Sequence, residues 1–211
     1  MVRKTGMFVL MALSLTGVAS AQVAMLTQVA GDVRASGKDG ARTAVPFLKV
    51  NEGDRLTLAG DARVQMVYLA QGRQEIWKGA GAVDIGAQEG RSATLKAEAS
   101  QISPIILKQL AKTPAAGQHA KTGMVMLRSL DDLAAMDRLD QDYATFRAAA
   151  PPGDTTPEVF MLSALLDAGE INRARKLIED LKAKQREQPG YTPVVEHFSR
   201  LVTEAAAAKR P

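Results

Sequence analysis

The chain changes character near residue 100, and this change constrains its fold more than any other feature. Before that point glycine is frequent and apolar residues alternate with polar ones, which is typical of short β-strands joined by turns. After it, alanine and leucine recur at helical spacing. We therefore predict an α+β protein with a β-domain over 23–98, a helix and linker over 99–129, and an α-helical domain over 130–209.

The β half predicts a small antiparallel sandwich or roll. In residues 61–69 the alternation predicts a strand with one buried face, Val64, Met66 and Tyr68, and one exposed face, Arg63, Gln65 and Val67. The turn 70–73 joins it to a second strand at 74–79, so the pair is predicted to form a hairpin. Gln28–Arg34 is predicted to be one strand bent at its glycine, and 82–87 and 93–97 are predicted as further strands. Strands at spacings of about 8–12 residues, separated by glycine turns, favour a sandwich or roll.

The second half carries clear helix signals. A helix is predicted over 103–112, with Ser103 as N-cap and Pro104 at the first helical position. A longer helix over about 130–149 presents one apolar stripe, formed by Leu130, Leu133, Met136, Leu139, Tyr143 and Phe146. Thr156 is predicted to cap a helix over 157–168, and further helices follow over about 171–187 and 193–208.

The N-terminus has the pattern of a secretory signal peptide. Arg3 and Lys4 precede a short apolar run at 7–19, which ends in the small residues Ala19-Ser20-Ala21. We expect cleavage after Ala21 and a periplasmic protein; an uncut N-terminal anchor is the alternative. The absence of cysteine suits a bacterial periplasm better than an animal secretory route. After cleavage no stretch is long and apolar enough to be predicted as a transmembrane segment.

Charge and motifs argue against several functional classes. The formal net charge is only +4 and the basic residues are dispersed, so no nucleic acid partner is expected. The chain has no phosphate-binding loop, no nucleophile motif and no thiolate, and His119 and His197 lack partners at ligand spacing. We expect no cofactor, no metal and no enzymatic activity. The acidic residues of the helix over 130–149, including Asp137 and Asp140, leave a carboxylate-based active site open as an alternative.

One family resemblance lies in the β half. The segment begins with Gly31-Asp32-Val33, has Gly-Asp turns at 53–54 and 60–61, and continues through Gly72 into residues 74–86. This order of elements resembles the FecR domain, a small β-domain of the bacterial envelope. Membrane-bound FecR regulators have a cytoplasmic anti-sigma segment before a membrane helix, whereas this chain has the predicted signal peptide there. The resemblance therefore implies a soluble, exported member.

A second resemblance lies in residues 157–189. The segment looks like a tetratricopeptide-type helical hairpin on the residues Leu162, Leu165, Gly169, Ala174, Ile178 and Leu181. Such a hairpin cannot bury its apolar face alone, so the neighbouring helices are expected to cover it. The alternative is an ordinary helical bundle.

These observations predict a non-enzymatic interaction or scaffold protein of the bacterial cell envelope whose partners are envelope proteins. The predicted partner-binding residues are Tyr68 and Trp77 on the sheet and Phe160, Met161 and Ser163 on the helix over 157–168. The alternative is that Trp77 caps a core that is otherwise poor in aromatic residues, which is the more common role of a tryptophan on a sheet. Two alternatives stay open: binding of peptidoglycan or another glycan through the β-domain and Trp77, and an enzyme with an unrecognised carboxylate site at Asp137.

Overall fold

The structure is a computed structural model that describes residues 22–38, 40–118 and 130–208. Within these residues the protein is α+β, as predicted, with ten strands in two antiparallel sheets and five α-helices. The predicted signal segment lies outside the described residues. No helix in the described part of the chain is long and apolar enough to cross a membrane.

The strands form two five-stranded sheets, which we call the central and the outer sheet. The central sheet has the order β10-β7-β6-β1-β4 and the outer sheet the order β3-β2-β5-β8-β9. The strands are β1 Gln22–Ala30, β2 Val33–Gly37, β3 Gly40–Thr43, β4 Lys49–Asn51, β5 Arg55–Leu58, β6 Arg63–Tyr68, β7 Arg73–Lys78, β8 Gly81–Ile85, β9 Gly90–Arg91 and β10 Glu98–Gln101.

Two strand predictions need correction. The predicted bent strand Gln28–Arg34 is two strands, because Gly31 turns the chain at φ +78° from β1 in the central sheet to β2 in the outer sheet. The predicted strand at 93–97 is absent; the strands nearest to it are β9 and β10. The predicted hairpin is present, with Val64 opposite Trp77 and Met66 opposite Glu75 in the β6–β7 pair.

The helices follow the predicted order. They are α1 Pro104–Lys112, α2 Leu130–Ala149, α3 Thr156–Asp167, α4 Ile171–Lys184 and α5 Thr192–Ala208, with a 3₁₀ turn Pro189–Tyr191 before α5. Ser103 is the N-cap of α1 and accepts a hydrogen bond from the backbone N–H of Ile105. Thr156 is not the cap of α3. The N-cap position is Thr155, whose side chain makes no capping hydrogen bond. Oδ1 of the preceding Asp154 instead accepts from the N–H and the hydroxyl of Thr156 at 2.9 and 2.6 Å.

Glycine ends α3 in the manner expected for a tight helical hairpin. Gly169 has φ +72°, and its N–H donates to the carbonyl of Leu166 at 3.1 Å. The N–H of Glu170 donates to the carbonyl of Leu165 at 2.8 Å. This pair of bonds is the Schellman arrangement that a left-handed residue allows. Ala174 follows on α4 and is fully buried, which permits a close crossing with α3.

Strand β6 of the central sheet is buried on both faces, and this corrects the half-buried strand predicted at 61–69. Val64, Met66 and Tyr68 enter the core between the two sheets. Val67 on the opposite face packs into a second core with the helices. Gln65 is also fully buried and donates through Nε2 to Asp154 Oδ1 at 3.2 Å. The helices thus form a third layer on the face that the sequence pattern marks as exposed.

Helix α3 lies at the centre of the helical layer. All ten residues from Thr156 to Leu165 are buried, and the helix contacts α1, α2, α4 and α5. The consecutive apolar residues 159–162 cover all sides of one helical turn, so the helix is expected to be surrounded in this way. The α2 stripe covers one side of it, through Met136, Leu139, Tyr143 and Phe146. The side chains of Leu130 and Leu133 lie outside the described part of that helix.

The β and helical layers meet at Phe47, which lies between β3 and β4. Its N–H donates to the carbonyl of Leu26 at 2.7 Å, and its carbonyl accepts from the N–H of Ala116 at 2.9 Å. The backbone of Phe47 is left-handed, at φ +65°, a conformation that L-residues other than glycine rarely adopt. Its ring stacks on His197 of α5 with the ring centroids 4.1 Å apart.

We expect His197 to make the fold acid-sensitive. Burial and, to a smaller extent, the nearby Arg200 lower the pKa of His197 from 6.5 to about 4, although the Pro114 carbonyl and Glu204 oppose the shift. The unfolded chain therefore binds more protons between these two pH values. The contribution of neutral His197 to the stability of the fold is complete above about pH 6.5 and is lost as the pH falls towards 4. Over pH 7 to 4.5 the loss is roughly 2–3 kcal/mol.

The measurement is the free energy of unfolding at both pH values in the parent and in His197→Phe. Phenylalanine keeps an aromatic ring on Phe47 but cannot take up a proton. The variant should lose less stability on acidification than the parent. Equal losses in both proteins would show that His197 does not contribute to the acid sensitivity.

Candidate functional site

A cleft opens at one end of the β-sandwich, and we call it the sandwich cleft. Its volume is about 620 Å³, within the range of about 300–1,000 Å³ that ligand sites usually span. The β4–β5 turn, the β6–β7 turn, strand β7 and the β8–β9 region form its walls. The charged and amide side chains of these walls are Glu52, Gln71, Arg73, Asp84, Gln88, Glu89 and Arg91.

A buried carboxylate lies behind the wall of the cleft. Glu75 on β7 is fully buried and points into the sandwich. Its Oε2 accepts from the indole N–H of Trp77 at 3.1 Å and from the backbone N–H of Gly90 at 3.0 Å. Its Oε1 accepts from Nε of Arg73 at 2.6 Å. Glu75 therefore joins the central sheet to β9 of the outer sheet and fixes one edge of the Arg73 guanidinium.

Only glycine fits opposite this carboxylate. A Cβ atom at position 90 would lie 2.9 Å from Oε2 of Glu75, 2.9 Å from Cγ1 of Val83 and 3.0 Å from Cζ2 of Trp77. The backbone of β9 can approach Glu75 this closely because Gly90 has no side chain. The short distance brings the neighbouring Arg91 to the mouth of the cleft.

Tyr68 lies in the same buried region. Burial raises the pKa of its phenol, and the nearby carboxylate of Glu75 raises it further. The hydroxyl is buried and has no hydrogen-bond partner among the described residues. The phenol therefore stays protonated, and its hydroxyl is an unused donor in the sandwich core.

Two arginines flank one exposed carboxylate at the cleft. Nη2 of Arg73 lies 3.7 Å from Oε2 of Glu89, and Nε of Arg91 lies 3.8 Å from Oε1 of the same residue. Both distances exceed hydrogen-bond range. Asp84 is already engaged, because Arg55 binds both of its oxygens at 2.6 and 2.9 Å. This ion pair lowers the pKa of Asp84 and keeps it ionised.

The structure buries all five predicted partner-binding residues. Tyr68 and Trp77 lie inside the sandwich, with Tyr68 fully buried and Trp77 only 3% exposed. Phe160, Met161 and Ser163 are 1%, 5% and 7% exposed, because α3 is enclosed by the sheet and the other helices. Ser163 forms a 2.6 Å hydroxyl–hydroxyl hydrogen bond with Thr113. In this conformation the five side chains are core residues, and of the five only Trp77 donates a hydrogen bond to Glu75.

The acidic residues of α2 are not brought together into a site. Asp140 binds Arg173 of α4 at 2.6 Å, and Asp137 makes no hydrogen bond or ion pair with any described residue. No group of three or more potential ligands with metal-binding geometry occurs among the described residues. His197 is stacked in the core, and His119 lies outside the described residues.

Sequence reasoning missed Arg73, Glu75 and Arg91. A signal for two of them was present, since Arg73, Glu75 and Trp77 are spaced two apart and must share one face of a strand. A buried Trp77 therefore requires Glu75 to face inward, where a carboxylate needs hydrogen-bond partners. Arg91 has no comparable signal, because its place at the cleft depends on pairing between β8 and β9.

Comparisons with protein-family models, with curated proteins and with solved structures found no match to this chain.

Proposed function

We propose that the protein is an exported, non-enzymatic interaction module of the bacterial cell envelope that holds its partner in the sandwich cleft. The proposal keeps the interaction role predicted from the sequence and moves the contact surface from the helical layer to the sandwich. The partner-binding residues become Arg73, Arg91, Gln71 and Gln88, which line the cleft.

The observation that carries the proposal is the fixed position of Arg73 beside an open cleft. Burying an ion pair is costly, and replacing both of its partners by apolar side chains of similar size often gives equal or greater stability. Glu75 is nevertheless fully buried and holds Arg73 at 2.6 Å. The guanidinium is thus pre-oriented at the cleft wall. Less side-chain conformational entropy is therefore lost when a partner binds.

The charges of the cleft favour binding over proton transfer. A general acid needs a pKa near the working pH, which for a carboxyl group means a raised value. Arg55 lowers the pKa of Asp84 instead. The buried Glu75 is engaged with three donors and does not line the cleft.

The two family resemblances are part of the same proposal. The Gly31 turn and the other glycine turns between strands support a FecR-like sandwich. The α3–α4 hairpin with Gly169 and Ala174 supports a tetratricopeptide-type unit. The cover expected for such a hairpin comes from α1, α2 and α5. Export to the periplasm rests on the predicted signal peptide.

Site-specific photo-crosslinking in living cells tests the proposal. The photo-reactive residue p-benzoylphenylalanine replaces Gln88 at the cleft in one protein and Thr57 on the exposed face of the outer sheet in another. We expect one dominant envelope protein to be captured from position 88 and little from position 57. Capture at neither position, or equally at both, would contradict the proposal. Recovery of glycan at position 88 would favour peptidoglycan binding instead.

A further inference from the structure

We infer that the sandwich cleft recognises the free α-carboxylate at the C-terminal end of a peptide, held between Arg73 and Arg91. This inference rests on the proposed function and specifies the chemistry of the partner.

Arg73 has one edge fixed and the other edge available. Its Nε donates to the buried Glu75, and among the described residues its guanidinium makes no other hydrogen bond. Its side chain is 35% exposed, so the terminal nitrogens reach the cleft. A guanidinium oriented in this way presents two donors in the geometry that matches a carboxylate.

Arg91 supplies a second guanidinium, which is held among the described residues only by a long ion pair with Glu89. Its side chain is 79% exposed, and the nearest carboxylate is that of Glu89 at 3.8 Å. Asp84 is opposite Arg91 in the β8–β9 pair but is bound by Arg55 through both oxygens. Arg91 therefore has donors available for a ligand.

Glu89 marks the position that a ligand carboxylate would take. It lies on the β8–β9 loop, is 48% exposed, and approaches both arginines without hydrogen-bonding to either. An incoming carboxylate that bonds to both guanidinium groups can displace this weakly held side chain. Glu89 then acts as an internal competitor, and its removal should strengthen binding.

The other groups of the cleft narrow the ligand to a peptide end. Asp84 is paired with Arg55, but Glu52 repels polyanions such as oligophosphates, so a ligand with a single negative charge is favoured. The amide side chains of Gln71 and Gln88 offer donors and acceptors of the kind that peptide groups use. The described cleft lining has no aromatic side chain on which a sugar ring could stack.

Calorimetric titration with N-acetyl-trialanine and with its C-terminal amide tests the inference on the whole exported chain. We expect the acid to bind and the amide to bind at least tenfold more weakly. Arg91→Gln should weaken binding of the acid about tenfold or more, and Glu89→Gln should strengthen it severalfold. Arg34→Gln is the matched control, since Arg34 is 72% exposed on the outer sheet and its Nε lies 3.7 Å from Oδ1 of Asp32. The Arg34→Gln variant should bind the acid with the same affinity as the parent.

Three results would overturn the inference. The first is equal binding of the acid and the amide, and the second is failure of the acid to bind even to Glu89→Gln. The third is competition by acetate as effective as that by the peptide, which would assign the cleft to small free carboxylates. Capture of an envelope protein from position 88 in any of these cases would leave the proposed function standing. Binding of the acid without any capture would support the inference and contradict the envelope-protein function.

Discussion

Replacing Glu75 by leucine is expected to destabilise the protein by roughly 2–5 kcal/mol. The substitution removes the acceptor of the buried indole N–H of Trp77 and of the partly buried backbone N–H of Gly90, and each lost partner costs about 1–3 kcal/mol. Glu75→Gln should cost less, because its amide oxygen can still accept from both donors. The expected order of stability is therefore parent, Glu75→Gln, Glu75→Leu.

Urea unfolding followed by tryptophan fluorescence measures this order, since Trp77 is the single tryptophan of the chain. Glu98→Gln is the control. Glu98 is 63% exposed on the edge strand β10, and its ion pair with Lys78 is also exposed, so its loss should leave the unfolding midpoint unchanged. If Glu75→Leu matched the parent in stability, the buried network would contribute nothing to the fold.

The second large effect is expected at Arg147, where α2 ends. Its Nη1 donates to both oxygens of Glu158 at 3.1 and 3.0 Å and to the carbonyl of Asp154 at 2.6 Å. The side chain of Glu158 is only 2% exposed. Arg147→Met leaves this carboxylate buried with only the Tyr143 hydroxyl, at 3.4 Å, so we expect a loss of about 3 kcal/mol or more.

A double-mutant cycle separates the ion pair from simple packing. The double variant Arg147→Met/Glu158→Gln should be more stable than Arg147→Met alone, because no uncompensated charge remains buried. Arg173→Met is the control, since the Arg173–Asp140 pair also joins two helices but is exposed on both sides. Its loss should be under about 1 kcal/mol. Equal losses for Arg147→Met and Arg173→Met would show that burial of Glu158 is unimportant.

The sequence determined the elements whose signals are local. The order of strands followed by helices, the Ser103 N-cap, the Gly169 stop and the α2 stripe could all be predicted, because capping and periodicity depend on residues a few positions apart. The β6–β7 hairpin could be predicted for the same reason. The predicted strand at 93–97 failed because apolar alternation alone does not provide a pairing partner.

Only the tertiary structure decided which surfaces are exposed. Gln65 and Val67 carry the pattern of an exposed strand face, yet both are fully buried because the helical layer packs on that face. The same packing encloses α3 and removes Phe160, Met161 and Ser163 from the surface.

The candidate site depends on tertiary structure in the same way. The spacing of Arg73, Glu75 and Trp77 places them on one strand face, but Gly90 and Arg91 join them through pairing of β8 with β9. Burial and convergence of charges arise from contacts between residues far apart in the chain. Local periodicity fixes which side chains share a face, and the packing of layers fixes what each face meets.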